Sequence, residues 1–256
     1  MNRPDEALVR EVFGRIAVAR PSLSKYPSVI DDEEERLEVL ASQLISRFPW
    51  PIGIELRRLF NCPNLDRGRL DQLFKTIERT MQFLSFILLS QFLEEVISNG
   101  AKTSPAFRKE FPGRFRKTTM GNFEWLVRSL GTLLHEQQIT PFAGELKHVL
   151  GTPFYNALDF WSPERNDIGH YQYNLSQGEI EKRCVEHAER LTSILGSLAF
   201  LVNYPLVTVR EVRVLKRKRR DASFAHTLDI LNKSDSNFVS REARLETFCD
   251  SPGVLL

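Results

Sequence analysis

The fold of this chain is decided by its longest apolar helical stretch. Residues 67–100 read RGRLDQLFKTIERTMQFLSFILLSQFLEEVISNG. Apolar residues recur every three or four positions, which predicts a helix over about 67–98, and Asn99-Gly100 is a typical C-terminal stop. Its wide apolar stripe consists of Leu70, Leu73, Phe74, Ile77, Met81, Phe83, Leu84, Phe86, Ile87, Leu88, Leu89 and Phe92. Such a helix is covered on several sides, so we expect it at the centre of a helical bundle.

Other segments carry narrower apolar stripes at helical spacing. They predict helices near 5–19, 32–48, 52–60, 122–137, 142–150 and 153–161. The string Ser176-Gln177-Gly178-Glu179 fits a capping box and opens a further long helix to about residue 203. Residues 101–118 are basic with two prolines, which indicates an irregular surface segment. The spacing of Phe107, Phe111 and Phe115 instead favours a helix face packed on the bundle, or a surface that stacks on bases.

Beyond Pro205 the pattern changes to that of strands. Residues 207–214 predict one strand, 216–221 a turn and 224–231 a returning strand. The predicted fold class is therefore mainly α, a helical bundle with a small C-terminal β-hairpin appendage. We divide the chain into an N-terminal helical segment (1–66), the bundle (67–204) and the appendage (205–256). The first segment either forms its own domain or adds helices to the bundle, and the apolar C-terminal end is consistent with continuation in a longer protein.

Composition limits the classes of function. The chain has 256 residues and a formal net charge of +2, so any binding to nucleic acid requires a local basic patch. Cys62, Cys184 and Cys249 are odd in number and far apart, which argues against a disulfide framework or a zinc site and fits the cytoplasm. The most apolar run, 83–89, is too short to span a bilayer, so we expect no membrane partner.

One short string groups side chains suited to chemistry: Arg165-Asn166-Asp167-Ile168-Gly169-His170. The planar fork of Arg165 suits phosphate oxygens, and His170 can exchange a proton near neutral pH. Asn166 can hydrogen-bond a phosphate or orient the imidazole. Residues five apart on an ideal helix lie about 140° from each other. Arg165 and His170 therefore converge only if the helix is distorted near Gly169, or if the ligand lies along the groove.

The specificity of this string comes from its asparagine. A loose pattern of Arg followed by His also fits Arg128/His135, within an ordinary amphipathic helix, and Arg220/His226, at the predicted turn. Requiring Asn directly after Arg, with three residues before His, leaves the 165–170 string alone. A short motif of this kind is a hypothesis that depends on its structural setting.

The pattern Arg-polar-x-x-x-His, at the start of a late helix in an all-α bundle, resembles the signature of the HEPN superfamily. The resemblance covers about residues 67–204 and carries Arg165, Asn166 and His170 onto the signature positions. It implies a HEPN-like bundle and a metal-independent endoribonuclease that needs no cofactor and works as a homodimer, with two motifs meeting across the interface. The implied reaction is attack of the ribose 2′-hydroxyl on the adjacent phosphate. His170 would move protons, Arg165 would neutralise the phosphorane and Asn166 would help to orient it.

Two functions remain open at this stage. The first is RNA cleavage by a toxin or antiviral-defence ribonuclease, regulated by a partner protein or by an attached effector domain. The second is a noncatalytic dimerisation or signalling module that is attached to an effector or partners one. In that case Arg165 would pair with a neighbouring carboxylate, that of Asp159, Glu164 or Asp167.

The basic run near the predicted turn and His187 have both structural and functional interpretations. The basic run could contact RNA phosphates, although like charges at a turn are more often simply solvated; it comprises Lys216, Arg217, Lys218, Arg219 and Arg220. His187 lies on the apolar face of the last long helix, which favours a core or boundary histidine. No cluster with metal-ligand spacing occurs in the sequence, so we expect no metal.

Overall fold

The computed structural model describes residues 4–25, 27–161, 163–164, 175–216, 218, 221–232, 238–245 and 254–255. Within them the protein is mainly helical, as predicted. The helices are α1 (Glu6–Ala19), α2 (Glu33–Arg47), α3 (Trp50–Phe60), α4 (Arg67–Asn99), α5 (Pro105–Phe115), α6 (Met120–Glu136), α7 (Leu146–Val149), α8 (Thr152–Asp159) and α9 (Gln177–Ser197). Short 3-10 turns cover Pro21–Ser24, Pro27–Val29 and Ala199–Asn203. The strands are β1 (Val207–Leu215), β2 (Ser223–Ile230), β3 (Val239–Leu245) and β4 (Val254–Leu255).

The long helix α4 lies at the centre of the bundle, with α3, α6 and α9 packed against it. It begins where the Asp66 carboxylate accepts a hydrogen bond from the backbone N–H of Arg69, and it ends at Gly100, whose φ of 69° is left-handed. A glycine there avoids the steric cost of a side chain in that region. The predicted boundaries and central position of this helix are confirmed.

Helices α1, α2 and α3 share one hydrophobic core with the rest of the bundle. Helix α1 packs against α2 and α9, and α3 packs against α2 and α4. At the crossing of α2 and α3, an ideal Cβ on Gly53 would lie 2.4 Å from the backbone oxygen of Ile45. The two backbones therefore approach closely because residue 53 has no side chain.

Helix α5 corrects the expectation of an irregular segment over 101–118. Ser104 caps it by accepting a hydrogen bond from the backbone N–H of Phe107, and Pro105 occupies the first turn. The alternative reading of Phe107, Phe111 and Phe115 as one helix face is confirmed: successive rings stack at 5.2 and 5.0 Å. Capping and ring packing outweigh the charge and the internal Pro112. The helix predicted over 142–150 is also shorter than expected and covers α7 alone.

The C-terminal β region is a sheet rather than a lone hairpin. Strands β1 and β2 pair antiparallel as predicted, but β3 adds on the far side of β2 and β4 on the far side of β1. The order is β3-β2-β1-β4. The third strand was missed because its alternation is masked by charged residues, as in Arg241, Glu242 and Arg244.

The sheet is tied to the helices where β1 begins and β2 ends. The backbone N–H of Trp50 donates to the oxygen of Leu231 at 2.8 Å. The Asn232 side chain accepts from the N–H of Leu206 and donates to the backbone oxygen of Arg47, both at 2.8 Å. These bonds fix the base of the sheet against the junction of α2 and α3.

Among the described helices, α4 is the one whose length and apolar composition would allow it to cross a membrane. Half of its most apolar window is buried inside the protein, and other helices pack against it. That arrangement is typical of the core helix of a soluble protein.

Candidate functional site

The three predicted catalytic residues, Arg165, Asn166 and His170, lie outside the described residues. The structure describes what precedes and follows them in the chain. Trp161, Pro163 and Glu164 are helical on one side, and Leu175 leads into the Ser176 cap of α9 on the other. The contacts of Glu164 and Ser176, one on each side, give the structural setting of the 165–170 string.

The residue before the candidate string is held by α9. Arg183 Nη1 donates to Glu164 Oε2 at 2.5 Å, and His187 Nε2 lies 3.7 Å from the same oxygen. The side chains of Glu164 and Arg183 are about a quarter exposed, whereas that of His187 is fully buried. A partly buried ion pair of this kind fixes one end of the 165–174 segment more firmly than a surface pair would.

The other end of that segment is fixed by a capping box. The Ser176 hydroxyl accepts from the backbone N–H of Glu179, and the Glu179 carboxylate accepts from the backbone N–H of Ser176 at 2.7 Å. The Ser176 hydroxyl and the Ser176 backbone N–H both donate to Glu179 Oε2, and these two hydrogen bonds lower the pKa of Glu179. Gln177 also donates to the backbone oxygen of Leu65, just before α4. The predicted capping box is thus confirmed, and it joins the start of α9 to the central helix.

Four rings form a cluster beside the Glu164–Arg183 ion pair, and all but the partly buried Phe160 are buried. His187 lies 5.0 Å from Phe74, 4.9 Å from Phe160 and 5.2 Å from Trp161, measured between ring centroids. All three contacts are edge-to-face, which is a favourable geometry for aromatic rings. Trp161 is 1% exposed. This cluster anchors the helical turn that leads into the candidate string.

The tautomer of His187 follows from its hydrogen bond. Its Nδ1 lies 2.6 Å from the backbone oxygen of Arg183, which can only accept, so Nδ1 carries the proton. Burial lowers the pKa of His187 to about 4, and the ring is neutral at pH 7. Its Nε2 and the Nε1 of Trp161 have no hydrogen-bond partner within the described part of the chain. The interpretation of His187 as a core histidine is confirmed, although the described residues satisfy only one of its two ring nitrogens.

Two of the three carboxylates named as structural partners for Arg165 are engaged by other arginines. Asp159 accepts from Arg128 Nη2 at 2.7 Å, and Glu164 accepts from Arg183. The third, Asp167, lies outside the described residues.

The decoy pair Arg128/His135 has a structural explanation. Arg128 forms ion pairs with Glu124 and Asp159 and donates to the backbone oxygen of Tyr155. Its guanidinium carbon also lies 4.7 Å from the centroid of the Tyr155 ring. This arginine ties α6 to α8. The preference for the 165–170 string over this pair agrees with that role.

The basic run is described only in part. Lys216 and Lys218 are exposed after the end of β1, whereas Arg217, Arg219 and Arg220 lie outside the described residues. The remaining decoy, His226, is buried in β2. Within the described ranges, no group of three or more His, Cys, Asp and Glu side chains could hold a metal ion.

A second candidate site is an apolar groove of about 970 Å³ along α4, which sequence reasoning did not find. We call it the α4 groove. Its walls come from α3, α4, the segment after α6 and the base of the sheet, and it is lined by Trp50, Pro51, Phe83, Phe86, Ile87, Ser90, Gln91, Glu94, Glu95, Thr140, Phe142, Leu206, Leu231 and Phe238. The available signal was Phe86, an apolar residue at the edge of an already wide stripe.

Comparison with known proteins places no relative beside this chain. No family model, no curated protein and no solved structure matches it.

Proposed function

We propose that this protein is a metal-independent endoribonuclease of toxin or antiviral-defence type that acts as a homodimer. Arg165, Asn166 and His170 are the residues that carry the reaction. The observation that weighs most is the engagement of Asp159 and Glu164 by Arg128 and Arg183. Each of these two carboxylates has an arginine partner of its own, which favours a role for Arg165 toward a bound phosphate.

The proposed reaction begins with the 2′-hydroxyl of the ribose. His170 takes its proton as the oxygen attacks the adjacent phosphorus, and the guanidinium of Arg165 neutralises the charge on the phosphorane. Asn166 hydrogen-bonds a phosphate oxygen. The P–O bond to the next nucleotide breaks, and its oxygen receives the proton that His170 accepted and leaves as a 5′-hydroxyl. The other product ends in a 2′,3′-cyclic phosphate.

The anchoring of both flanks supports this proposal. Glu164 is fixed to α9 by Arg183, and Ser176 is fixed by its capping box. Reacting groups need placement within a fraction of an ångström, which rigid flanking elements favour. Lys216 and Lys218, which are exposed, add positive charge that suits an RNA backbone.

The test is cleavage of end-labelled RNA in EDTA by the purified protein and by Arg165→Ala and His170→Ala. We expect both substitutions to lower the rate by roughly 10²- to 10⁴-fold, the usual contribution of general acid–base catalysis. The matched control is His135→Ala, from the rejected Arg/His pair, which should retain full activity. Product ends should carry a cyclic phosphate. Equal activity in all four proteins, or cleavage that requires a divalent metal, would refute the proposal.

The alternative is a noncatalytic dimerisation or signalling module attached to or partnering an effector. The exposed α4 groove favours this alternative, because large apolar concavities are typical of interaction sites. The same assay separates the two functions: a protein without ribonuclease activity that still self-associates fits the module.

A further inference from the structure

We propose that the α4 groove binds an amphipathic helix from a partner protein, one with apolar residues along one face and Lys or Arg at one end. The proposal does not depend on RNA cleavage. It rests on the shape, spacing, charge and rigidity of the groove.

The exposed apolar surface of the groove is concentrated in aromatic rings. Trp50 is 39% exposed, Phe86 41% and Phe142 44%, while Phe83 is buried beneath them. Monomeric proteins seldom leave several large rings exposed on one continuous surface unless it is an interaction site. Aromatic anchors of this kind account for much of the affinity of a typical interface.

The spacing along α4 favours a helix as the occupant. Phe86, Ser90, Leu93 and Ile97 follow the i, i+4, i+7, i+11 pattern of a helix face that packs on another helix. Leu93 is 49% and Ile97 80% exposed, so this stripe continues beyond the groove. From Phe83 to Glu95 the groove runs about 18 Å along α4, which corresponds to about three turns of a bound helix.

The charge of the groove specifies the polarity of the occupant. Glu94 accepts a hydrogen bond from the Ser98 hydroxyl and Glu95 from the Asn99 amide, both neutral donors. Within the described residues neither carboxylate forms an ion pair, and no Lys or Arg lines the groove. A partner with Lys or Arg at this end would supply the missing positive charge.

The groove is held open by hydrogen bonds formed within the chain. The Gln91 side chain donates to the backbone oxygen of Thr140 at 2.9 Å and accepts from the N–H of Phe142 at 3.1 Å. On the opposite side, Trp50 is held by its backbone bond to Leu231. A wall fixed before binding lowers the ordering cost of association.

The test is selection from a displayed library of randomised helical peptides of about 14 residues, with the full-length protein as bait. We expect enrichment of peptides with apolar residues at i, i+3 or i+4, and i+7, and with Lys or Arg near one end. Synthetic copies should lose about tenfold or more in affinity for Glu94→Lys/Glu95→Lys and for Ser90→Trp, which fills the groove.

Matched controls distinguish the groove from the general surface. Glu189→Lys and Ser197→Trp place the same changes on exposed positions of α9, outside the groove, and should leave affinity unchanged. Thermal unfolding shows whether each variant is folded. The proposal is overturned if no peptide is enriched, if enriched peptides bind Ser90→Trp unchanged, if acidic peptides are preferred, or if only a small aromatic amine occupies the groove.

Discussion

The imidazole of His187 shows how one buried side chain links stability to pH. Burial holds its pKa at about 4 in the folded protein, against about 6.5 in the unfolded chain. Between these values the unfolded chain binds the extra proton, so the free energy of unfolding falls as the pH is lowered through this window.

We predict that His187 accounts for a loss of up to about 3 kcal/mol between pH 6.5 and 4. His187→Phe keeps an aromatic ring among Phe74, Phe160 and Trp161 and should remove this component of the pH dependence. Urea unfolding at a series of pH values measures it. His135→Gln, at an exposed position on α6, should behave like the parent; an unchanged slope in His187→Phe would contradict the pKa assignment.

At the scale of elements, the crossing of α2 and α3 depends on a missing side chain. We predict that Gly53→Ala destabilises the protein by about 1–3 kcal/mol, because the new methyl would meet the backbone oxygen of Ile45. Gly14 in α1 has no atom within 4 Å of an ideal Cβ. Gly14→Ala should therefore stabilise by about 0.5–1 kcal/mol. Chemical denaturation measures the stability of both variants. A Gly53→Ala variant as stable as Gly14→Ala would disprove the close approach of the α2 and α3 backbones.

A helix could be predicted from the sequence where its own residues contain the apolar stripe and the capping signals. The periodic stripe and Gly100 define α4, and Ser176 with Glu179 defines the start of α9. The segment of α5 was expected to be irregular because its positive charges and Pro112 are typical of a loop. The Ser104 cap, which starts the helix, is the signal that indicates otherwise. Strand β3 was not predicted because its charged residues, among them Arg241, Glu242 and Arg244, hide the alternation typical of a strand.

The candidate site shows the same division between local and distant information. The string 165–170 is visible in the sequence, whereas the bond between Glu164 and Arg183 joins residues that come together only after α9 packs on the bundle. The α4 groove likewise draws residues from five separate parts of the chain, near 50–51, 83–95, 140–142, 206 and 231–238. Its exposed rings read as ordinary core positions until the packing is known.

At the scale of the whole molecule, the start of the chain is joined to its central helix by a buried ion pair. Arg69 is fully buried and donates to Asp5 Oδ1 at 2.5 Å and to the backbone oxygen of Cys62 at 2.9 Å. We predict that Asp5→Ala costs about 3–5 kcal/mol of stability, because it leaves a buried guanidinium without its counter-charge.

The control for this ion pair is Glu6→Ala, which removes an exposed pair with Arg10 and should cost less than about 1 kcal/mol. Equilibrium unfolding in urea gives both values. If the two variants lose the same stability, the Asp5–Arg69 pair does not hold the N-terminal helix to α4.

The two hydrogen bonds of the Asn232 side chain determine whether the sheet can be removed from the helices. Its amide satisfies a carbonyl at the end of α2 and an N–H at the entry to β1 at once. Excising the sheet would strip that carbonyl of its donor and expose Leu206, which is buried in the intact chain. We therefore expect the helices and the sheet to unfold together as one cooperative unit.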